Sequence, residues 1–194
     1  MRILALADIE SPNFYEKFDV TPYKGVEVVF SCGDVMPELL SYIATILNVP
    51  VFYVHGNHDE IYLNKIPEGC ENIDGRIIEF KGKRILGIGG SIRYSSGTFQ
   101  YTEKEMEKRI ERLSFKLRRG VDIVITHSPP SQIHEGDDWA HKGFKSFLKF
   151  IEKYQPQYFL HGHTHMNYVY NAKRITQVGN TKVINCSGII TLEL

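Results

Sequence analysis

In the segment Val49–Asp59, VPVFYVHGNHD, an apolar run stops abruptly at a glycine, an amide, a histidine and an acid. A short run rich in Val, Phe and Tyr reads as a strand buried on both faces. The residues after it read as a polar loop at the carboxyl end of that strand. The same pattern recurs along the chain. RILALAD ends at Asp8, VEVVFSCGD at Asp34, VDIVITH at His127, and QYFLHGHTH at His165.

Helical patterns separate these strands. PELLSYIATIL has apolar residues at helical spacing, with Pro37 suited to the first helical position. TEKEMEKRIERLSFKLRRG predicts one helix from Thr102 to Gly120, with Thr102 and Glu105 as a capping box. Its apolar stripe is Met106, Ile110, Leu113 and Leu117, and its charged face mixes both signs. KGFKSFLKFIEKY predicts a further helix. RIIEF and RILGIGG, joined by KGK, predict a hairpin, and the tail from Tyr168 predicts short strands parted by VGNT and CSG. Alternating strands and helices followed by strands alone predict an α/β sandwich with mixed sheets. With no repeat, low-complexity tract or Pro/Gly linker, one domain over residues 1–194 is expected.

The composition narrows the partners. The chain has 194 residues, 42% of them hydrophobic, and equal numbers of acids and bases, so its formal net charge is zero. Such a balance argues against a nucleic-acid polymer or an acidic membrane as partner. Cys32, Cys70 and Cys186 are too scattered for a metal motif or a disulfide framework and predict a reducing compartment. No signal-peptide pattern or membrane span is legible, and a cytoplasmic location is expected.

Ligands of open α/β sheets gather beyond the carboxyl ends of strands. Five such ends here carry Asp8 and Glu10, Gly33-Asp34, Gly56-Asn57-His58-Asp59, His127, and Gly162-His163-Thr164-His165. Taken singly, Asp8 or Asp34 reads as a helix cap, and His127 as a satisfied core histidine. Imidazole, carboxylate and amide oxygen without thiolate suit borderline-hard divalent metals, not a zinc–thiolate site. The donors exceed the needs of one ion. Two cations roughly 3.5–4 Å apart would use them and would support in-line displacement at phosphorus.

These motifs, in this order, resemble the calcineurin-like metallophosphoesterases from Asp8 to His165. The segment from Thr126 to His165 is similar to the small, single-domain bacterial and archaeal branch. The resemblance implies a four-layer αββα sandwich of two mixed sheets. It implies two divalent ions, Mn foremost, with Fe, Zn, Co, Ni or Mg as alternatives, and a small phosphate ester as substrate; with no arginine cluster legible for binding a monoester, a diester is expected before a monoester. By position it makes Asp8, residue 10 and His165 ligands of the first metal. Asn57, His127 and His163 become ligands of the second, and Asp34 the bridge. His58 becomes the general acid, with Asp59 near enough to tune it.

One position departs. The family expects histidine where this chain has Glu10. A carboxylate there predicts less preference for Fe and Zn and more tolerance of Mn or Mg. It also leaves open an interaction scaffold with a weakened site. His55 and His161 precede the motif glycines and read as packed strand residues. His141, Trp139 and Arg93 are candidates for a substrate loop, with loop packing or a surface role as the plainer readings. Trp139 could stack a nucleobase.

Overall fold

A computed structural model describes residues 1–9, 18–166 and 173–194. Glu10 lies outside the described residues. Five strands form the first sheet: β1 (Arg2–Ala7), β2 (Val28–Ser31), β3 (Val51–Tyr53), β4 (Cys70–Asn72) and β13 (Gly188–Glu193). Their order is β13-β1-β2-β3-β4, with β1 to β4 parallel and β13 antiparallel at the edge. The second sheet contains β5 (Arg76–Phe80), β6 (Lys83–Ile88), β9 (Ile123–Thr126), β10 (Tyr158–His161), β11 (Ile175–Val178) and β12 (Thr181–Asn185). Its order is β11-β12-β10-β9-β6-β5, parallel from β12 to β6 and antiparallel at both edges. Two short strands, β7 (Ser91–Ile92) and β8 (Gln100–Tyr101), pair with each other.

Side-chain alternation sorts the apolar residues into three layers. On β1, Ile3, Ala5 and Ala7 face the second sheet, where they meet Ile85, Ile123, Ile125, Leu160 and Ile184. Leu4 and Leu6 face the other way, onto Leu39, Leu40 and Ile43 of α1 (Pro37–Leu47). The second sheet turns Val124, Phe159 and Val183 toward α2 (Glu103–Glu111), α3 (Ser114–Leu117) and α4 (Lys145–Tyr154). The layers are therefore helix, sheet, sheet, helices, as the resemblance implies. The chain passes from β12 in one sheet to β13 in the other, which joins the two.

Local chemistry explains most boundaries. Pro37 opens α1, and Asn48 closes it in a left-handed conformation. Thr102 and Glu105 form the capping box on α2. Lys81 and Gly82 both have positive φ, which suits a two-residue hairpin between Phe80 and Lys83. The single helix predicted over Thr102–Gly120 is instead two. A tightened turn, Leu113 N–H to Ile110 O, separates α2 from α3 while Leu113 and Leu117 stay on the sheet. Arg84 donates to the carbonyls of Lys116 and Gly120, and so satisfies the end of the second piece. The strand β4 was not legible, because CEN has no apolar run.

Phe159 is fully buried, with its ring 5.6 Å from that of Phe147. Phe159→Ala is expected to cost about 3–5 kcal/mol in urea unfolding. Phe115→Ser, at a site 77% exposed, should stay within about 0.5 kcal/mol. Equal losses would contradict the layer assignment.

Candidate metal centre

The parallel neighbours β1, β2 and β3, and the parallel neighbours β9 and β10, send five carboxyl ends to one edge of the sandwich. The chain turns sharply there. Asp8, Asp34 and His163 all adopt left-handed backbone conformations, with φ of 58°, 54° and 69°. Each is disfavoured for an L residue by about 1–2 kcal/mol, and such strain concentrates at functional sites. Two glycines let the loops meet. A Cβ on Gly33 would lie 2.4 Å from the Gly56 nitrogen, and one on Gly56 would lie 2.0 Å from Asp34 Oδ1.

The result is a buried cluster of Asp34, Asn57, His127 and His163. His127 Nε2 lies 2.9 Å from Asn57 Oδ1, 3.1 Å from His163 Nδ1 and 3.2 Å from Asp34 Oδ2. The ligand atoms of Asp34, His127 and His163 all lie within 4.8 Å of one another. One N–H cannot satisfy three acceptors, so the group converges more lone pairs than the protein has donors for.

The outer partners fix that convergence. His127 Nδ1 donates to Cys32 O at 2.8 Å, leaving Nε2 toward the cluster. His163 Nε2 donates to Ala140 O at 2.7 Å, leaving the Nδ1 lone pair inward. Asn57 Nδ2 donates to Tyr94 Oη at 3.0 Å, so its amide oxygen faces in. Asp34 Oδ1 accepts the His58 backbone N–H at 2.8 Å, and Oδ2 is left for His127. Each ligand atom is thus oriented by a second contact, the arrangement metal sites use. The donor set fits a borderline-hard divalent cation.

The charges agree. Burial would raise the Asp34 carboxyl, but His127 outweighs it and holds the pKa low. Burial would lower His127, yet Asp34 beside it pushes it up to about 9. Burial and then the His127 charge push His163 down to about 3. Without a cation, the His127 proton occupies the position where the lone pairs meet.

The remaining candidates lie around this cluster. Asp8 Oδ1 accepts the His163 N–H at 3.0 Å, and its buried Oδ2 has no hydrogen-bond partner among the described residues. Burial raises its pKa, while His127 and His165 pull it down. His165 borders a hollow of about 280 Å³ that also meets His134 and Thr176, and among the described residues neither Asp8 nor His165 joins the group of ligand atoms within 4.8 Å of one another. His58 is exposed at the rim. The Asp59 carboxylate turns inward and accepts from Gly56 N at 2.7 Å and Asp34 N at 2.9 Å, so it braces the turn.

The His141 ring sits 5.1 Å from that of His163, and Asp138 holds its Nδ1 at 2.8 Å. Trp139 is 65% exposed, with its indole N–H on Arg93 O at 3.2 Å. The Arg93 guanidinium binds Glu105 and the Gln100 carbonyl. His161 is fully buried and bonds His134, and His55 stacks on Phe99 at 4.2 Å. Sequence reading missed Tyr94, one tyrosine among eleven. It also missed the carbonyls of Cys32 and Ala140, which have no side-chain signature.

The fold and cluster together define a class of metal-binding hydrolases. The family model of calcineurin-like phosphoesterases matches residues 1–167, and the chain belongs to that family. An uncharacterised protein of Haemophilus influenzae is 25% identical over 170 residues, 74% of this chain and 75% of the other. UDP-2,3-diacylglucosamine hydrolase of Psychromonas ingrahamii is 25% identical over 142 residues, 65% of this chain and 56% of that enzyme. The crystal structure of TT1561 of Thermus thermophilus shares the fold, with a TM-score of 0.66 at 19% identity, over 96% of this chain and 89% of that one.

A cation and the His127 proton compete for one lone pair. Asp34 is already ionised and His163 already neutral, so the proton released by this cluster is that of His127. Calorimetry in buffers of different ionisation enthalpy should show about one proton released from it per Mn²⁺ bound at pH 7. Release should fade as pH passes about 9, and His127→Gln should remove it. Identical release from wild type and His127→Gln would contradict the assignment.

Proposed function

We propose that this chain is a metal-dependent phosphoesterase, phosphodiesters favoured, working with two divalent cations. The observation that carries the proposal is the convergence of lone pairs from Asp34, Asn57 and His163 on His127 Nε2. These four residues would hold one cation. Asp8, Glu10 and His165 would hold the other, with Asp34 between them. Nitrogen and oxygen donors without sulfur put Mn first and keep Fe, Zn, Co, Ni and Mg in range. The chemistry supplied by such ions is charge neutralisation at phosphoryl oxygens and acidification of water.

The chain's own residues do the rest. Tyr94, Cys32 and Ala140 hold Asn57, His127 and His163 in orientation, which lowers the reorganisation needed when a phosphate arrives. Asp59 braces the turn that presents His58. The His58 imidazole, exposed beside Asp34, donates its proton to the departing alkoxide as general acid. Likeness to a diacylglucosamine hydrolase supports the hydrolytic reading. Zero net charge favours a small ester over a nucleic-acid polymer. No helix among the described residues is long and apolar enough to cross a membrane.

The test uses Mn²⁺-loaded protein and two diesters, one releasing an alkoxide and one releasing nitrophenolate, which departs readily unprotonated. His58→Asn should lower kcat on the alkyl diester by about 10²–10⁴ and on the nitrophenyl diester by much less. Equal losses, or none, would overturn the general-acid role. Absence of turnover with Mn, Co, Ni and Mg alike would overturn the enzyme and favour a scaffold.

A further inference from the structure

We infer that the Tyr94 hydroxyl is a further catalytic group, one that donates its O–H to a non-bridging oxygen of the phosphoryl group held at the cluster. The inference rests on the phosphoesterase reading and adds a residue to its site. Tyr94 Oη accepts from Asn57 Nδ2 at 3.0 Å. The same amide turns its oxygen to His127 Nε2 at 2.9 Å. The hydroxyl is therefore one amide group away from the point where the lone pairs converge.

Three groups hold Asn57, His127 and His163 from behind. Two of them, Cys32 O and Ala140 O, are carbonyls and can only accept. The third is a phenol, which accepts and also donates. Its lone pair serves Asn57, while its proton has no acceptor among the described residues. A carbonyl would have held the amide equally well. The hydroxyl adds a donor, and Tyr94 is 39% exposed, so that donor is open to a ligand.

The loop holds this hydroxyl still. Gln100, only 3% exposed, accepts the Tyr94 and Ser95 N–H groups on one amide oxygen at 3.1 and 2.9 Å. Its Nε2 donates to Ser95 Oγ at 2.8 Å. Gly97 lets the turn close over that amide, since a Cβ there would lie 2.5 Å from Gln100 Nε2. Glu60, two residues beyond His58, accepts the Thr98 N–H at 2.8 Å and so ties the Tyr94 loop to the one that presents His58. A donor fixed before the substrate arrives needs no reorganisation during the reaction.

His58 and Tyr94 then act on different oxygens. His58 gives a proton to the leaving oxygen, so its effect depends on how readily that oxygen departs. Tyr94 keeps its proton and stabilises the charge that gathers on a non-bridging oxygen as phosphorus becomes five-coordinate. Its effect should not depend on the leaving group.

The test uses Mn²⁺-saturated protein with the same alkyl and nitrophenyl diesters. Tyr94→Phe should lower kcat on both by a similar factor, about 10- to 100-fold, the usual effect of one hydrogen bond to a charged oxygen. A loss confined to the alkyl diester would place Tyr94 on the leaving oxygen and overturn the assignment. So would a loss that excess Mn²⁺ restores, because Tyr94 would then only hold Asn57.

Binding is read separately, by calorimetry of inorganic phosphate on the Mn²⁺-saturated protein. Tyr94→Phe should weaken it by about tenfold or more. That result without turnover by wild type would support the donor while the enzyme reading failed. Turnover by wild type, with Tyr94→Phe its equal in kcat and in phosphate affinity, would do the reverse.

Discussion

At the edge shared by the two sheets, a single N–H on His127 faces three acceptors, from Asp34, Asn57 and His163. No rearrangement of these side chains relieves the crowding, because each is held from behind. Cys32 O fixes one ring, Ala140 O the other, and Tyr94 the amide. The strained backbone at Asp34 and His163 serves the same end, since both side chains meet at His127, while Asp8 accepts the His163 backbone N–H. A divalent cation is the partner that would satisfy all of these lone pairs at once. The glycines, the inward Asp59 and the two loops above are then parts of one support.

Strain of this kind persists only where the rest of the fold over-determines it. Three apolar layers do so here, with the inter-sheet layer running from Ile3 and Ala5 across to Ile125 and Leu160. Parallel pairing fixes the heights of the strand ends, and the β12–β13 crossing ties one sheet to the other. Precision at the edge is therefore a property of the sandwich, while the loops that carry Tyr94 and Ala140 orient Asn57 and His163.

Much of this was legible in the sequence because the signals are local and categorical. An apolar run that stops at Gly-Asp or Gly-Asn-His-Asp announces both a buried strand and what its end carries. Asp34, Asn57, His127 and His163 were therefore nameable, and the structure brings them together. What depends on tertiary contacts was not. The break between α2 and α3 follows from fitting Leu113 and Leu117 to a sheet, which a helical period cannot show. Asp59 reads as a neighbour of His58, yet its carboxylate serves Gly56 and Asp34. Arg93 reads as a surface residue before a phosphate contact, and Glu105 holds its guanidinium. Main-chain carbonyls that orient ligands leave no mark in a sequence at all.

Anomalous diffraction from crystals soaked in Mn²⁺ tests the centre most directly. One peak should lie within bonding distance of Asp34 Oδ2, Asn57 Oδ1, His127 Nε2 and His163 Nδ1, with a second on the Asp8 and His165 side of Asp34. A map without anomalous density there, in which His127 still donates to Asn57 or His163, would contradict a metal centre at this edge.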